Sequence, residues 1–324
     1  MYNNMEIIID DKTFKELLPI VATKEFLSSK SNDFGWFISD NFILPYIIEK
    51  KFIFKRLIFS YSVIKRNTLA ISQKEFLNGV VELSKTLNID FIYQPYAFAI
   101  FDEIPDNCIY APFGTYQIDL IKTEDDLFKN LHSKHRNVVR KAQKNELTVF
   151  HGIKHKNECY NLIKDTLQRQ QQPFMSIEDI NNMYAYLGDN ISFYIIKNKD
   201  KVEGSAIIIS NKHEAYYLLA GSDSKTSAGA MNLLIWQIML DMKNNGVKSF
   251  DFVGARINPQ AGSKFEGIQR FKSRFGTTLK EGYLWKIPIK PFKYKLFKFI
   301  TWLYYKLKNK SYSGDIIDQE IRNG

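Results

Sequence analysis

The chain has 324 residues, 45% of them hydrophobic and 25% charged, and carries a formal charge of +10. That length and apolar content exclude a disordered chain and suit two packed modules, while the positive balance favours polyanionic partners such as tRNA, pyrophosphate-bearing substrates or an acidic membrane surface. Two distant cysteines, Cys108 and Cys159, argue against a disulfide scaffold and fit a reducing, cytoplasmic setting.

The N-terminus carries Glu6 and Asp10 where a secretory signal would be basic and then apolar, so it is expected to belong to a domain. Apolar runs at 52–63 and 90–93 and a helical pattern at 73–87 then describe a mixed α/β module. Pro112 and Gly114 punctuate the chain, and 116–121 is expected to be a strand entering a second unit, which places a boundary near residue 115. Thr123, with Asp126 three residues on, caps a helix whose apolar stripe is Leu127, Leu131, Val138 and Ala142. Strands are expected at 147–151, 192–197, 204–210 and 215–220, with a helix at 157–170 after the first. A small-residue loop at 221–229 leads to a helix with the face Met231, Leu234, Ile235, Ile238, Met239 and Met242, ended by Gly246, and then to a strand at 249–253.

Helix, three strands, helix and strand is the order of the acetyltransferase (GNAT) core, in which a splayed mixed sheet holds an acyl donor. The expected fold is therefore α/β with two GNAT-like modules. Residues 1–114 form a diverged copy, residues 115–289 the acyltransferase module, and residues 290–324 a basic amphipathic tail. Order alone does not fix function, because several α/β folds share it.

Two stretches carry chemistry. In the first, Arg136, Arg140 and Lys144 recur every four residues and form a basic ridge, with Lys134 and Lys141 on an adjoining face. Such a ridge either holds phosphate or is simply solvated, and the fixed fork of arginine suits Arg136 and Arg140 to a pyrophosphate. The second runs from Phe250 through Asp251, Gly254 and Arg256 to Gly267, then to Arg270-Phe271-Lys272-Ser273-Arg274-Phe275-Gly276. Asp251, on a strand, must face a polar pocket or be paired; it either orients an attacking amine or bridges to Arg256 or Arg274.

With Gly114-Thr115-Tyr116, these motifs resemble, in order, the Fem-type aminoacyltransferases of bacterial cell-wall assembly over residues 111–288. The resemblance implies an enzyme that takes an amino acid from aminoacyl-tRNA and joins it by an amide bond to a cell-wall precursor. In that family the lysine of a Phe-Lys pair steadies charge on the ester carbonyl. Here Lys272 takes that part, with Phe271 as a platform for the terminal adenine, Arg256 and Arg274 beside the donor, and Lys134, Arg136, Arg140 and Lys144 on phosphate or acceptor. A positioned ammonium can stabilise such an oxyanion by a few kcal/mol. The packing alternative leaves Phe271 and Phe275 in the core with Lys272 snorkelling.

No cofactor is implied beyond aminoacyl-tRNA as co-substrate. The alternative is an acyl-CoA-dependent N-acyltransferase acting on an amino-sugar or lipid-linked glycan. Against it, Ser224-Lys225-Thr226-Ser227-Ala228-Gly229-Ala230 lacks the spaced glycines that cradle a pyrophosphate at a helix N-terminus. The five histidines have no accompanying Cys, Asp or Glu cluster, so no metal is expected. The tail interleaves lysines from Lys290 to Lys310 with Phe292, Phe299, Trp302, Leu303 and Leu307. Such a segment either packs on the enzyme or lies in the headgroups of an anionic membrane at the inner face of the plasma membrane.

Overall fold

The computed structural model describes residues 5–10, 12, 14, 17–67, 72–145, 147–308 and 312–323. Lys310 lies outside them.

Two mixed sheets repeat one plan. The first contains β1 (Glu6–Ile8), β2 (Phe34–Ile38), β3 (Phe42–Lys51), β4 (Phe54–Phe59) and β6 (Phe91–Ile92) in that spatial order, with β5 (Ile64–Lys65) also on β3. Helix α1 (Lys24–Lys30) precedes an antiparallel meander β2-β3-β4, and α2 (Lys74–Thr86) then crosses over to β6, parallel to β4. Pro45, inside β3, explains an interruption in this sheet. It has no N–H to offer on the edge between β4 and β5, so the chain leaves the sheet at residues 60–63 and carries Tyr61 toward the second module.

The second sheet runs β13-β7-β12-β11-β10-β9-β8. Its elements are β7 (Ile109–Asp119), α3 (Glu124–Asn130), α4 (Ser133–Lys144), β8 (Leu147–His151), α5 (Lys156–Arg169), α6 (Ile177–Leu187), β9 (Ile191–Asn198), β10 (Lys201–Ser210), β11 (Glu214–Ser222), α7 (Ala230–Asn244), β12 (Ser249–Asp251), α8 (Lys264–Ser273) and β13 (Thr278–Lys286). Again a helix, α6, precedes the meander β9-β10-β11, and α7 crosses to β12, parallel to β11. The two copies meet where α1 packs on α6. They are also joined where β13 runs on to pair Ile287 with Ile92 of β6. A shared core sets Trp36, Ile47 and Ile58 against Phe193, Ile207 and Tyr216.

Three sequence expectations differ from what forms. The helix expected from Thr123 onward is two helices, α3 and α4, because Leu131 and His132 are extended and the His132 ring accepts from the Lys134 amide at 3.2 Å as a cap. The expected strand at 116–121 starts at Ile109, so residue 115 falls inside β7. The strand at 249–253 ends at Asp251, since Val253 turns left-handed at φ 55°. Two further helices close the chain, α9 (Pro291–Leu307) and α10 (Ile316–Asn323).

Candidate active site

A cleft of about 960 Å³ opens where the C-terminal ends of β6 and β12 face one another. Its walls include Tyr93 and Gln94 from the first module and Gln171, Arg256 and Lys272 from the second. Ser263 caps α8, accepting from the Glu266 amide at 3.2 Å, and thereby fixes the helix that presents Lys272.

Lys272 donates to the carbonyl oxygens of Val253 at 2.6 Å and Gly254 at 2.8 Å. An ammonium has three N–H donors, so one remains for a ligand in the cleft that this side chain lines. Burial pulls its pKa down to about 8, opposed by the negative field of Asp251. Both carbonyls point at the ammonium because Val253 and Gly254 are consecutive left-handed residues, at φ 55° and 74°.

Asp251 is buried and does not bridge to Arg256 or Arg274. Its Oδ1 accepts from the Thr115 hydroxyl at 2.6 Å and the Val253 amide at 2.6 Å, and its Oδ2 accepts from the Gln117 amide at 2.9 Å. It therefore shapes the turn under Lys272. Burial raises its pKa against those three hydrogen bonds and the Lys272 charge. Arg256 lines the cleft stacked 3.9 Å over Phe265, and its guanidinium is held by Gln319 at 2.6 Å and by Glu320 of α10.

The other expected site residues stand apart from the cleft. Successive helical residues point about 100° apart, so with Lys272 in the cleft Phe271 faces α4. There it packs 5.3 Å from the His135 ring and 5.2 Å from Phe275, and it does not line this cleft. Arg274 lies near His135, where burial and this guanidinium push the imidazole down to about 4. Arg136 turns back to cap α3, donating to the carbonyls of Lys129, at 2.6 Å, and Leu131. Arg140 lies 5.1 Å over Phe128, and Lys134 and Lys144 are exposed. None of these four basic residues lines the cleft.

Residues 195–301, which run from β9 into α9 and include Asp251, Arg256 and Lys272, match the model of the FemAB family. A crystal structure of FemX shares the fold with a TM-score of 0.63 at 14% identity, over 85% of this chain and 94% of that one. The segment that carries Asp251, Arg256 and Lys272 is thus similar to the FemAB family. Two further structures share the fold with TM-scores of 0.52. One is the C-terminal domain of a chain assigned as a lysylphosphatidylglycerol synthetase from Agrobacterium fabrum, at 15% identity over 84% of this chain and 89% of that one. The other is a protein of unknown function from Bacteroides thetaiotaomicron, at 12% identity over 82% and 89%. At these identities the likeness is one of fold. No curated protein sequence matches the chain.

The family match over residues 195–301 carries the coarse assignment of this chain as a transferase. Sequence reasoning missed Thr115, Gln117 and Glu214 as parts of its site. Gln117 bonds Glu214 and Asp251, which lie 97 and 134 positions away in the chain, so no local pattern announces the contact. Gln170, Gln171 and Gln172, which follow α5, form a rim of the cleft.

Proposed function

We propose that this chain moves an aminoacyl group from aminoacyl-tRNA to an amine of a cell-wall (peptidoglycan) precursor, forming an amide bond. The observation that carries the reading is Lys272: a largely buried ammonium, oriented by two carbonyls, with a donor left over in a large cleft. Aminolysis of the ester forms a C–N bond and breaks the C–O bond to the terminal ribose. The amine proton passes to the leaving hydroxyl, and negative charge builds on the carbonyl oxygen in between. A dehydrated, pre-aimed N–H stabilises that oxygen without reorganising. The fold neighbour assigned as a lysylphosphatidylglycerol synthetase is named for an aminoacyl group on a lipid, which is in keeping with an aminoacyl group as the one transferred.

The acyl-CoA alternative meets a physical obstacle. In an acetyltransferase the loop before the crossover helix binds the pyrophosphate with its amides. Here the Glu203 carboxylate occupies the equivalent loop, accepting from the Ser227 amide at 2.8 Å and hydroxyl at 2.9 Å. Past the last β11–β12 pair, Tyr216 with Asp251, the Tyr217 and Phe252 rings stand 5.8 Å apart across the opening between the two strands.

We read α9 as the contact with an anionic membrane at the cytoplasmic face. Its inner face buries Tyr294 and Phe297 against Phe54 and Phe91, while Phe292, Phe299, Leu303 and Leu307 form an outward stripe beside Lys295 and Lys306. Phe292 and Leu307 are 79% and 76% exposed. Apolar residues edged with lysine match the headgroup region of acidic lipid. No helix among the described residues is long and apolar enough to cross a membrane.

The test is transfer of a labelled amino acid from a charged tRNA pool into nucleotide-linked and lipid-linked precursors, with acetyl-CoA as the competing donor. Label in the precursor that depends on Lys272 supports the reading. Transfer from acetyl-CoA alone overturns it.

A further inference from the structure

Behind Lys272 lies a chain of buried polar groups that the proposed reaction does not use. The Gln117 amide nitrogen donates to Glu214 Oε1 at 3.0 Å and to Asp251 Oδ2 at 2.9 Å, so two carboxylates share one amide. Glu214 and Asp251 are 3% and 1% exposed. The second oxygen of Glu214 accepts from the Tyr216 hydroxyl, and Tyr216 is in turn bonded to Tyr61 of the first module. At the other end, Asp251 takes the Val253 N–H and Lys272 takes the Val253 carbonyl.

We propose that Glu214 is a positioning residue for Lys272: it holds the single proton of a buried acid pair with Asp251 and acts on the cleft ammonium through Gln117, Asp251 and the Val253 turn. The electrostatics follow from the geometry. With both acids ionised, two buried negative charges would face one ammonium; with one proton the group is neutral. Each acid has three hydrogen-bond donors, and the proton belongs on Glu214 because Asp251 lies in the field of the Lys272 ammonium and a glutamate is ordinarily the weaker acid, at 4.5 against 3.8.

The surroundings agree. Around Glu214 stand Tyr216 on its own strand, Gln117 on β7, Ser249 and Asp251 on β12, Lys280 on β13 and Tyr61 from the first module. Burial first, and then the charge of Asp251, push Glu214 up to about 7, against Tyr216, Lys280 and Ser249. As pH rises through that value the pair gains its second charge just below the range in which Lys272 would lose its own, so the ammonium persists to higher pH than it would beside one carboxylate.

This role acquires catalytic meaning through the reading of Lys272 as the reacting cation, but its test needs no substrate. The rate at which acetic anhydride labels Lys272, followed by mass spectrometry against pH in the full-length protein, gives the midpoint of its titration. Glu214→Gln is expected to lower that midpoint by at least about half a pH unit while circular dichroism is unchanged. An unchanged midpoint in the folded variant would overturn the proposal. Should the variant not fold, the wild type decides: in glutamate-labelled protein an infrared band of a protonated carboxyl is expected at pH 6, fading between pH 6.5 and about 8. Its absence at pH 6 would equally overturn the proposal. Retained transfer activity with no midpoint shift would sink this inference and leave the proposed function standing.

Discussion

The Lys272 ammonium lies 2.6 Å from the carbonyl oxygen of Val253, a β-branched residue held at φ 55°. That conformation costs on the order of 1–2 kcal/mol for an L-residue, so it persists because both ends of Val253 are held, the N–H by Asp251 and the carbonyl by Lys272. Strand end, turn and cation thus form one unit, and a change at any of the three reaches the cleft.

Lys272→Met keeps the length of the stem and removes the charge. We expect kcat to fall about 10²–10³-fold with KM little changed, as for loss of one oxyanion donor. Because burial sets the Lys272 pKa at about 8, wild-type kcat/KM should decline as pH rises through that value. Steady-state kinetics across pH check both points, and a flat alkaline profile would contradict the assignment.

Stability carries the same groups with definite signs. Glu214 titrates near 7 when folded and near its ordinary 4.5 when unfolded, so its contribution is full below 4.5 and is lost as pH rises through 7. Lys272, lowered from 10.5 to about 8, weakens the fold below 8 and ceases to do so as pH climbs to 10.5. Other carboxylates, such as Asp90 and Asp318, shift downward, so the useful quantity is a difference between proteins. Urea unfolding of Glu214→Gln should lack a pH 4.5–7 slope of up to about 3 kcal/mol that the wild type shows.

Lys286, fully buried, reaches Asp315 and Asp318 at 2.7 Å each and so ties α10 to β13. Lys286→Met leaves Asp315 without its cation and Asp318 with Lys298 alone, and should cost about 3–5 kcal/mol. It should also loosen Arg256, whose guanidinium α10 holds through Gln319 and Glu320. Chemical denaturation measures the first effect and protease cleavage near residue 314 the second.

Two glycines separate strain from crowding. Gly262 sits at φ 74° in open space, so Gly262→Ala should cost only about 1–2 kcal/mol. At Gly229, φ is 88° and an added Cβ would lie 2.6 Å from the Val138 carbonyl oxygen of α4. Gly229→Ala should therefore cost about 2–5 kcal/mol, strain and overpacking together. Melting temperatures of the pair give the comparison.

Much of the second module was legible because its signals are local. The Ile207-Ile208-Ile209 run and the Met231 to Met242 face at helical spacing specify β10 and α7 without tertiary help. The break between α3 and α4 was not legible. Both halves keep apolar residues toward the core, and the stripe slips from Val138 to the buried Val139 only after His132 has capped the second half. In the site, Lys272 stood out through its motif, whereas the partners of Asp251 come from β7 and could be assigned only once the strands were paired. The basic ridge was visible as a pattern, but its arginines serve α3 and Phe128.

The outward stripe of α9 gives a surface prediction. Phe299→Glu with Leu303→Glu puts acids into an apolar band edged by lysines and should weaken sedimentation with phosphatidylglycerol vesicles at least about tenfold. Binding to phosphatidylcholine vesicles should be weak for both proteins. Equal binding of the variant and wild type to the acidic vesicles would assign that face another role.

The most direct measurement is single-turnover transfer of a labelled amino acid from charged tRNA to a peptidoglycan precursor, with wild type and Lys272→Met side by side. We expect label in an amide-linked product with the wild type, and a rate about 10²–10³-fold lower for the variant at unchanged tRNA binding. Equal rates for the two proteins, or no transfer from any charged tRNA while acetyl-CoA supports acylation, would contradict the central claim.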